Sequence, residues 1–124
     1  MIRDFDMKIA LLGYGRMGKA IEKIALEKGH TIVLRVEENN RAQCRDEQLA
    51  AADVAIEFSA PAVAVGNYRW CFENGVPVVS GTTGWLEKWE EVMAYCQEKQ
   101  GGFFYASNFS VGVNLFFHLN QYLS

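Results

Sequence analysis

The chain alternates between two periods of apolar spacing. Lys8 to Leu12 (KIALL) is a short apolar run, after which Met17, Ile21, Ile24 and Ala25 recur at helical spacing with Lys19, Glu22, Lys23 and Glu27 opposite. This pattern predicts a strand, a glycine turn and an amphipathic helix. Gly29 supplies a helix stop, and the β-branched run Thr31 to Val36 (TIVLRV) predicts a second strand. Glu37 to Arg45 is polar and reads as loop, and Asp46 to Ala52 reads as a short helix capped by its acid. Val54 to Phe58 (VAIEF) reads as a third strand. Pro61 opens a helix through Glu73, and Asn74-Gly75 ends it before a fourth strand, Val76 to Ser80 (VPVVS). From Trp85 onward Leu86, Trp89, Met93 and Cys96 keep one helical face, while Glu87, Lys88, Glu90, Glu91 and Glu98 keep the other. Gly101-Gly102 stops that helix, and Phe103 to Ala106 (FFYA) makes a fifth strand.

Strands alternating with helices in this way predict a parallel sheet covered on both faces, a doubly wound α/β fold of the Rossmann-like kind. The segment Val111 to Leu123 is different, because Val113, Leu115, Phe116, Phe117, Leu119, Tyr122 and Leu123 spread apolar surface beyond one stripe. A helix apolar nearly all round belongs in a core. The expectation is therefore a front part of a longer protein, with the fold incomplete, or a final helix buried in an oligomer. Residues 1–6 add no pattern and read as a loose tail.

Composition narrows the classes. The 124 residues are 50% apolar and suit one compact domain. A net charge of −3 without a basic block gives no footprint for nucleic acid. No apolar run reaches the roughly 18 residues of a membrane span, and acids near the start argue against a signal peptide, so a cytoplasmic location and no membrane partner are expected. Cys44, Cys71 and Cys96 are odd in number and widely spaced, which reads as ordinary buried or half-exposed thiols rather than disulfides or a zinc site.

Candidate chemistry begins at Gly13, Gly15 and Gly18, which form G-x-G-x-x-G between a strand and a helix. In a βαβ unit the first glycine allows the tight turn, the second lets a pyrophosphate approach the backbone and the third lets helix pack on strand. The helix N-terminus then offers N–H groups to the anion. Glu37, at the end of the second strand, lies where a carboxylate accepts from an adenosine ribose, and Glu38 is the adjacent alternative. Arg16 and Arg41 are available to neutralise a 2′-phosphate, which leaves NADH and NADPH both open; the plain reading of Arg41 is a solvated surface charge. A nucleoside-binding methyltransferase shares these features. Three further strand ends, Glu57 to Pro61 (EFSAP), Ser80 to Trp85 (SGTTGW) and Ala106 to Ser110 (ASNFS), place polar, turn-rich residues along the same sheet edge. Thr82 and Thr83 offer donors to a nicotinamide or ribose, or cap the next helix. His30, after Gly29, reads as a surface turn residue, and His118 as packed or solvated.

Taken in order, GYGRMGKAI, EFSAP, NGVPVVSGTTGW and ASNFSVGVNLFF resemble the 4-hydroxy-tetrahydrodipicolinate reductase (dihydrodipicolinate reductase) family over essentially the whole chain from Met7. The resemblance implies cofactor contacts from the turn Gly13, Tyr14, Gly15, Arg16, Met17 and Gly18, and from an acid at Glu37. It also implies contacts from Gly81, Thr82 and Thr83, and from Ala106, Ser107, Asn108 and Phe109. It implies NADH or NADPH as cofactor, a cyclic dicarboxylate substrate of lysine and diaminopimelate biosynthesis, and a tetrameric assembly. Residues 7–110 would then be the dinucleotide-binding domain, and 111–124 a connecting helix toward a substrate domain. The family's catalytic His-His and Lys stretch does not occur in these 124 residues, so cofactor binding without turnover is expected of them. The rival reading is a nucleotide-sensing or scaffold module that keeps the fold and lacks the chemistry.

Overall fold

The computed structural model describes residues 6–107. The segment Val111 to Leu123, His118, Asn108 and Phe109 lie outside the described residues.

The strands are β1 (Lys8–Leu12), β2 (Thr31–Val36), β3 (Val54–Glu57), β4 (Val78–Ser80) and β5 (Phe103–Tyr105), and the helices α1 (Arg16–Glu27), α2 (Asp46–Ala50), α3 (Pro61–Glu73) and α4 (Trp89–Glu98). They form one five-stranded sheet in the order β2-β1-β3-β4-β5, and every neighbouring pair is parallel. The fold is a doubly wound α/β sheet. Alternation along the strands assigns two cores. Ile9, Leu11, Val54, Ile56 and Val79 meet Ile21 and Ala25 of α1 on one face. Ala10, Leu12, Ala55 and Val78 meet Leu49, Ala64, Tyr68, Phe72 and Val92 of α2, α3 and α4 on the other. The chain leaves β1 toward β2 and returns past it to β3, so strand order reverses between β1 and β3. Ligands of open parallel sheets bind beyond the carboxyl ends of strands at such a reversal.

Several local expectations change. β4 begins at Val78 rather than Val76. Val76 N–H closes the exit of α3 on Cys71 O, and Pro77 has no N–H to give the ladder, although its carbonyl accepts from Ala55 N at 2.9 Å. The helix expected from Trp85 starts at Trp89, preceded by a 3₁₀ turn at Leu86–Lys88. Trp85 is the reason: its ring is buried and its Nε1 donates to Thr82 O at 2.6 Å, which turns the chain inward before the helix can start. Val92 carries the buried face of α4, while Leu86 and Trp89 remain 52% and 40% exposed. Arg45, not Asp46, is the residue preceding α2; its N–H is taken by Gln48 Oε1 at 2.7 Å, and the Asp46 carboxylate accepts from Trp70 Nε1 at 2.7 Å instead. His30 is not a surface residue. It is 5% exposed, and its Nδ1 accepts the Met7 N–H at 3.0 Å, which ties the entry of β1 to the entry of β2. Cys71 is buried, and Cys44 and Cys96 are half-buried thiols. No helix among the described residues is long and apolar enough to cross a membrane.

Candidate functional site

The turn after β1 is built around two glycines that their neighbours require. Gly13 has φ +110°, a conformation L side chains rarely adopt, and a Cβ there would stand 1.8 Å from Phe58 O at the end of β3. A Cβ on Gly18 would stand 2.4 Å from Gly13 O, so helix and turn touch backbone to backbone. Gly15 has no such neighbour: nothing lies within 4 Å of its Cβ position. Nothing within the described chain crowds that position, and it opens outward. Gly15 is also the residue preceding α1, which has no side-chain cap and no acid in its first turn. The first N–H groups of the helix are left to whatever occupies the space in front of them.

That space is a cleft of about 850 Å³. One wall is the glycine turn with Tyr14, Arg16 and Met17; a second is the exit of β2, with Val36, Glu37 and Glu38; the third is the β3–α3 loop with Phe58, Ser59 and Ala60, backed by Val63 and Asn67. Both Glu37 and Glu38 are exposed in this wall. Asn40 shapes their loop, because its Oδ1 accepts from Glu37 N at 2.7 Å and its Nδ2 donates to Arg35 O at 3.0 Å. Arg41 also lines the cleft, and it is not a free surface charge: its guanidinium lies 3.7 Å from the centre of the Trp70 ring. Behind Tyr14, Arg35 Nε donates to Glu22 Oε1 at 2.6 Å, and that bond holds the Glu22 carboxyl below the usual carboxylate range.

Beneath the third wall lies Glu57, the last residue of β3 and wholly buried. Its Oε1 accepts from Ser80 Oγ at 2.8 Å and Thr82 Oγ1 at 2.7 Å; its Oε2 accepts from Ser59 Oγ and from Asn67 Nδ2 at 3.2 Å. Burial pushes its pKa up, and the four donors pull it back. Each hydroxyl of Ser80 and Thr82 is itself an acceptor. Ser80 Oγ lies 2.5 Å from Tyr68 OH and accepts from Thr82 N at 3.3 Å, and Thr82 Oγ1 accepts from Ser59 N at 2.8 Å. The four donors favour the ionised form, burial opposes it, and burial is the larger effect.

The structure thus brings Gly13, Tyr14, Gly15, Arg16, Met17 and Glu37 around one cleft, and Gly18 packs behind them. Gly81 and Thr82 sit at the carboxyl end of β4, beside the cleft wall rather than in it. Gly81 N donates to Glu57 O at 3.0 Å, and the buried Thr82 spends its hydroxyl on Glu57 and Ser59. Neither threonine caps α4, which begins beyond Trp85. Thr83 is exposed at the same edge. Ala106 N donates to Ser80 O at 3.1 Å, which continues the β4–β5 pairing to the same edge, and Ser107 follows exposed. Val63 and Asn67 were missed by the sequence reading, which placed Glu57 and Phe58 at the EFSAP strand end without naming either as a site residue. The signal available for Glu57 was an acid closing an otherwise apolar strand in a sheet buried on both faces.

Residues 7–109 match the protein family described as "Dihydrodipicolinate reductase, N-terminus". The chain belongs to this family. It is 48% identical over 118 residues to the 4-hydroxy-tetrahydrodipicolinate reductase of Christiangramia forsetii, covering 95% of this chain and 48% of that protein. It is 35% identical over 115 residues to the reductase of the same name from Staphylococcus carnosus, covering 88% and 46%. The chain spans about half the length of these curated relatives. Among solved structures, a hyperthermophilic archaeal homoserine dehydrogenase in complex with NADPH superposes with a TM-score of 0.62 at 15% identity, over 81% of this chain and 43% of that one. UDP-N-acetylglucosamine 3-dehydrogenase GnnA from Acidithiobacillus ferrooxidans gives 0.62 at 16% identity, over 83% and 38%. At such identities the likeness is one of fold. For a dihydrodipicolinate reductase N-terminus, the cleft at the β1/β3 reversal is the candidate site.

Proposed function

We propose that the cleft binds the dinucleotide NADH or NADPH, with the pyrophosphate on the glycine turn and the adenosine ribose at Glu37. The observation that carries this reading is Gly15. Among the three glycines of the turn it alone has open space at its Cβ position, and that space lies before an uncapped helix N-terminus. Glu38 stands beside Glu37 as a second acceptor. Two carboxylates at the exit of β2, with the Arg41 guanidinium held against Trp70, favour ribose hydroxyls over a 2′-phosphate and hence NADH. Gly81, Thr82, Thr83, Ala106, Ser107, Asn108 and Phe109 are assigned to the nicotinamide half. Residues 7–110 act as the dinucleotide-binding domain, with 111–124 connecting it onward.

The cofactor supplies the hydride when bound; this chain's residues bind it, orient it and shield it. In the whole protein the reaction is reduction of 4-hydroxy-tetrahydrodipicolinate, the reaction that names the relatives, within a homo-oligomeric cytoplasmic enzyme. The 124 residues themselves bind without turnover. The test is a calorimetric titration of the purified chain with NADH and then NADPH, repeated on Gly15→Trp. Saturable binding that the tryptophan abolishes is expected. A folded chain that binds neither dinucleotide would overturn the reading, and steady NADH oxidation with the family substrate would overturn the absence of turnover.

A further inference from the structure

Glu57 has a position that hydrogen-bond satisfaction alone does not explain. Its two carboxylate oxygens divide their donors by place. Oε2 takes Ser59 and Asn67, both of which line the cleft. Oε1 takes Ser80 and Thr82, at the end of β4 and in the loop that follows it. A single buried side chain therefore bonds the cleft wall with one oxygen and the Gly81–Gly84 loop with the other. The two sides also meet directly, through Ser59 N on Thr82 Oγ1 and Gly81 N on Glu57 O. No positively charged side chain is among these partners, and an apolar residue of similar size would spare the desolvation of a carboxylate. What an apolar residue cannot do is fix the distance between two loops by directed bonds at both ends.

We infer that Glu57 is a positioning residue that sets the spacing between the adenylate half of the site, in the cleft, and the nicotinamide half, on the Gly81–Gly84 loop. The inference rests on the cofactor reading above. A ligand that spans two half-sites gains from their fixed separation, because capture of its second half is intramolecular, and it loses that gain when the halves drift. A ligand confined to one half has no such gain to lose. A residue that merely stabilises the fold would affect both ligands alike.

The experiment measures NADH and ADP affinities of the full chain and of Glu57→Gln by calorimetry, with an unfolding scan on each. Gln keeps the size of Glu but presents an amide N–H₂ to two of the four donors. The expected result is that the unaltered chain binds NADH more tightly than ADP, and that the ratio of the two affinities falls about tenfold in Glu57→Gln. Ser80→Ala, at a fully buried position, removes one loop-side donor and is expected to lower the ratio in the same direction by a smaller factor; it carries the test if Glu57→Gln does not fold. A ratio preserved in the folded variants overturns the inference, whatever happens to their stability. An unaltered chain that binds NADH no more tightly than ADP also overturns it, since the loop then contributes no half-site. An unaltered chain that binds ADP and NADH not at all overturns the cofactor reading itself, and this inference with it.

Discussion

Gly13, Gly15 and Gly18 have the same side chain and three different physical obligations. Gly13→Ala combines a φ of +110° with a methyl 1.8 Å from Phe58 O, and a loss of about 3 kcal/mol or more is expected. Gly18→Ala, 2.4 Å from Gly13 O, should lose about 2 kcal/mol as helix and turn separate. Gly15→Ala meets nothing within 4 Å and should lose about 1 kcal/mol or less, mostly as a poorer residue before the helix. Urea unfolding of the three variants checks this ranking, and equal losses at all three would contradict the packing described. The spacing of these glycines is legible in the sequence because each role depends on neighbours a few positions away. The roles of Glu57 and His30 depend on residues across the sheet, so local pattern places Glu57 at a polar strand end and His30 on the surface. For Glu57 a pH effect follows. Burial raises its folded pKa above the ordinary 4.5, so its contribution to stability is complete below the unfolded value and is lost as pH rises through the folded one. Glu57→Gln should therefore remove a decline in unfolding free energy that begins just above pH 4.5. Parallel stability curves for the two proteins across that range would refute it.

The elements are legible where the signal is local: α1 from its apolar period, β1 and β2 from short apolar or β-branched runs, and α3 from the Pro61 and Asn74-Gly75 that bound it. They depart from the local pattern where a single side chain makes a long-range commitment. Trp85 is the clearest example. Its spacing from Trp89 fits a helical face, yet the ring packs edge-on against Tyr68 at 5.0 Å and Tyr105 at 5.2 Å, while Nε1 holds Thr82 O. The loop Gly81–Gly84 is thus anchored from below by an indole and from the side by Glu57. Trp85→Phe keeps an aromatic ring but deletes the 2.6 Å bond and part of the volume, and a loss of about 1–3 kcal/mol is expected. The loss should be accompanied by faster amide exchange at Gly81, Thr82 and Gly84 than at the β1 strand. Uniform acceleration over the whole sheet would mean that Trp85 supports the core without fixing the loop.

At the scale of the molecule, the β1/β3 reversal is where the sheet's order and the glycine turn coincide. That coincidence was legible because element order and G-x-G-x-x-G both read locally. The opposite wall was not, since Val63 and Asn67 reach the cleft only through the packing of α3 across β3. The cleft also sets how binding should couple to folding. A ligand that binds the folded chain alone raises the unfolding free energy by RT ln(1 + [L]/Kd), about 2.7 kcal/mol at a hundred times Kd. For a domain of this size that corresponds to a midpoint shift of roughly 10 °C or more. NADH is expected to produce this shift, and NADPH at the same concentration a smaller one, because a 2′-phosphate would meet the carboxylates of Glu37 and Glu38 at the exit of β2. Replacing both acids by Gln should bring the two shifts together by weakening NADH and relieving NADPH. If NADPH instead protects more than NADH in the unaltered chain, and Arg41→Ala abolishes that advantage, the guanidinium on Trp70 rather than the carboxylates governs the ribose.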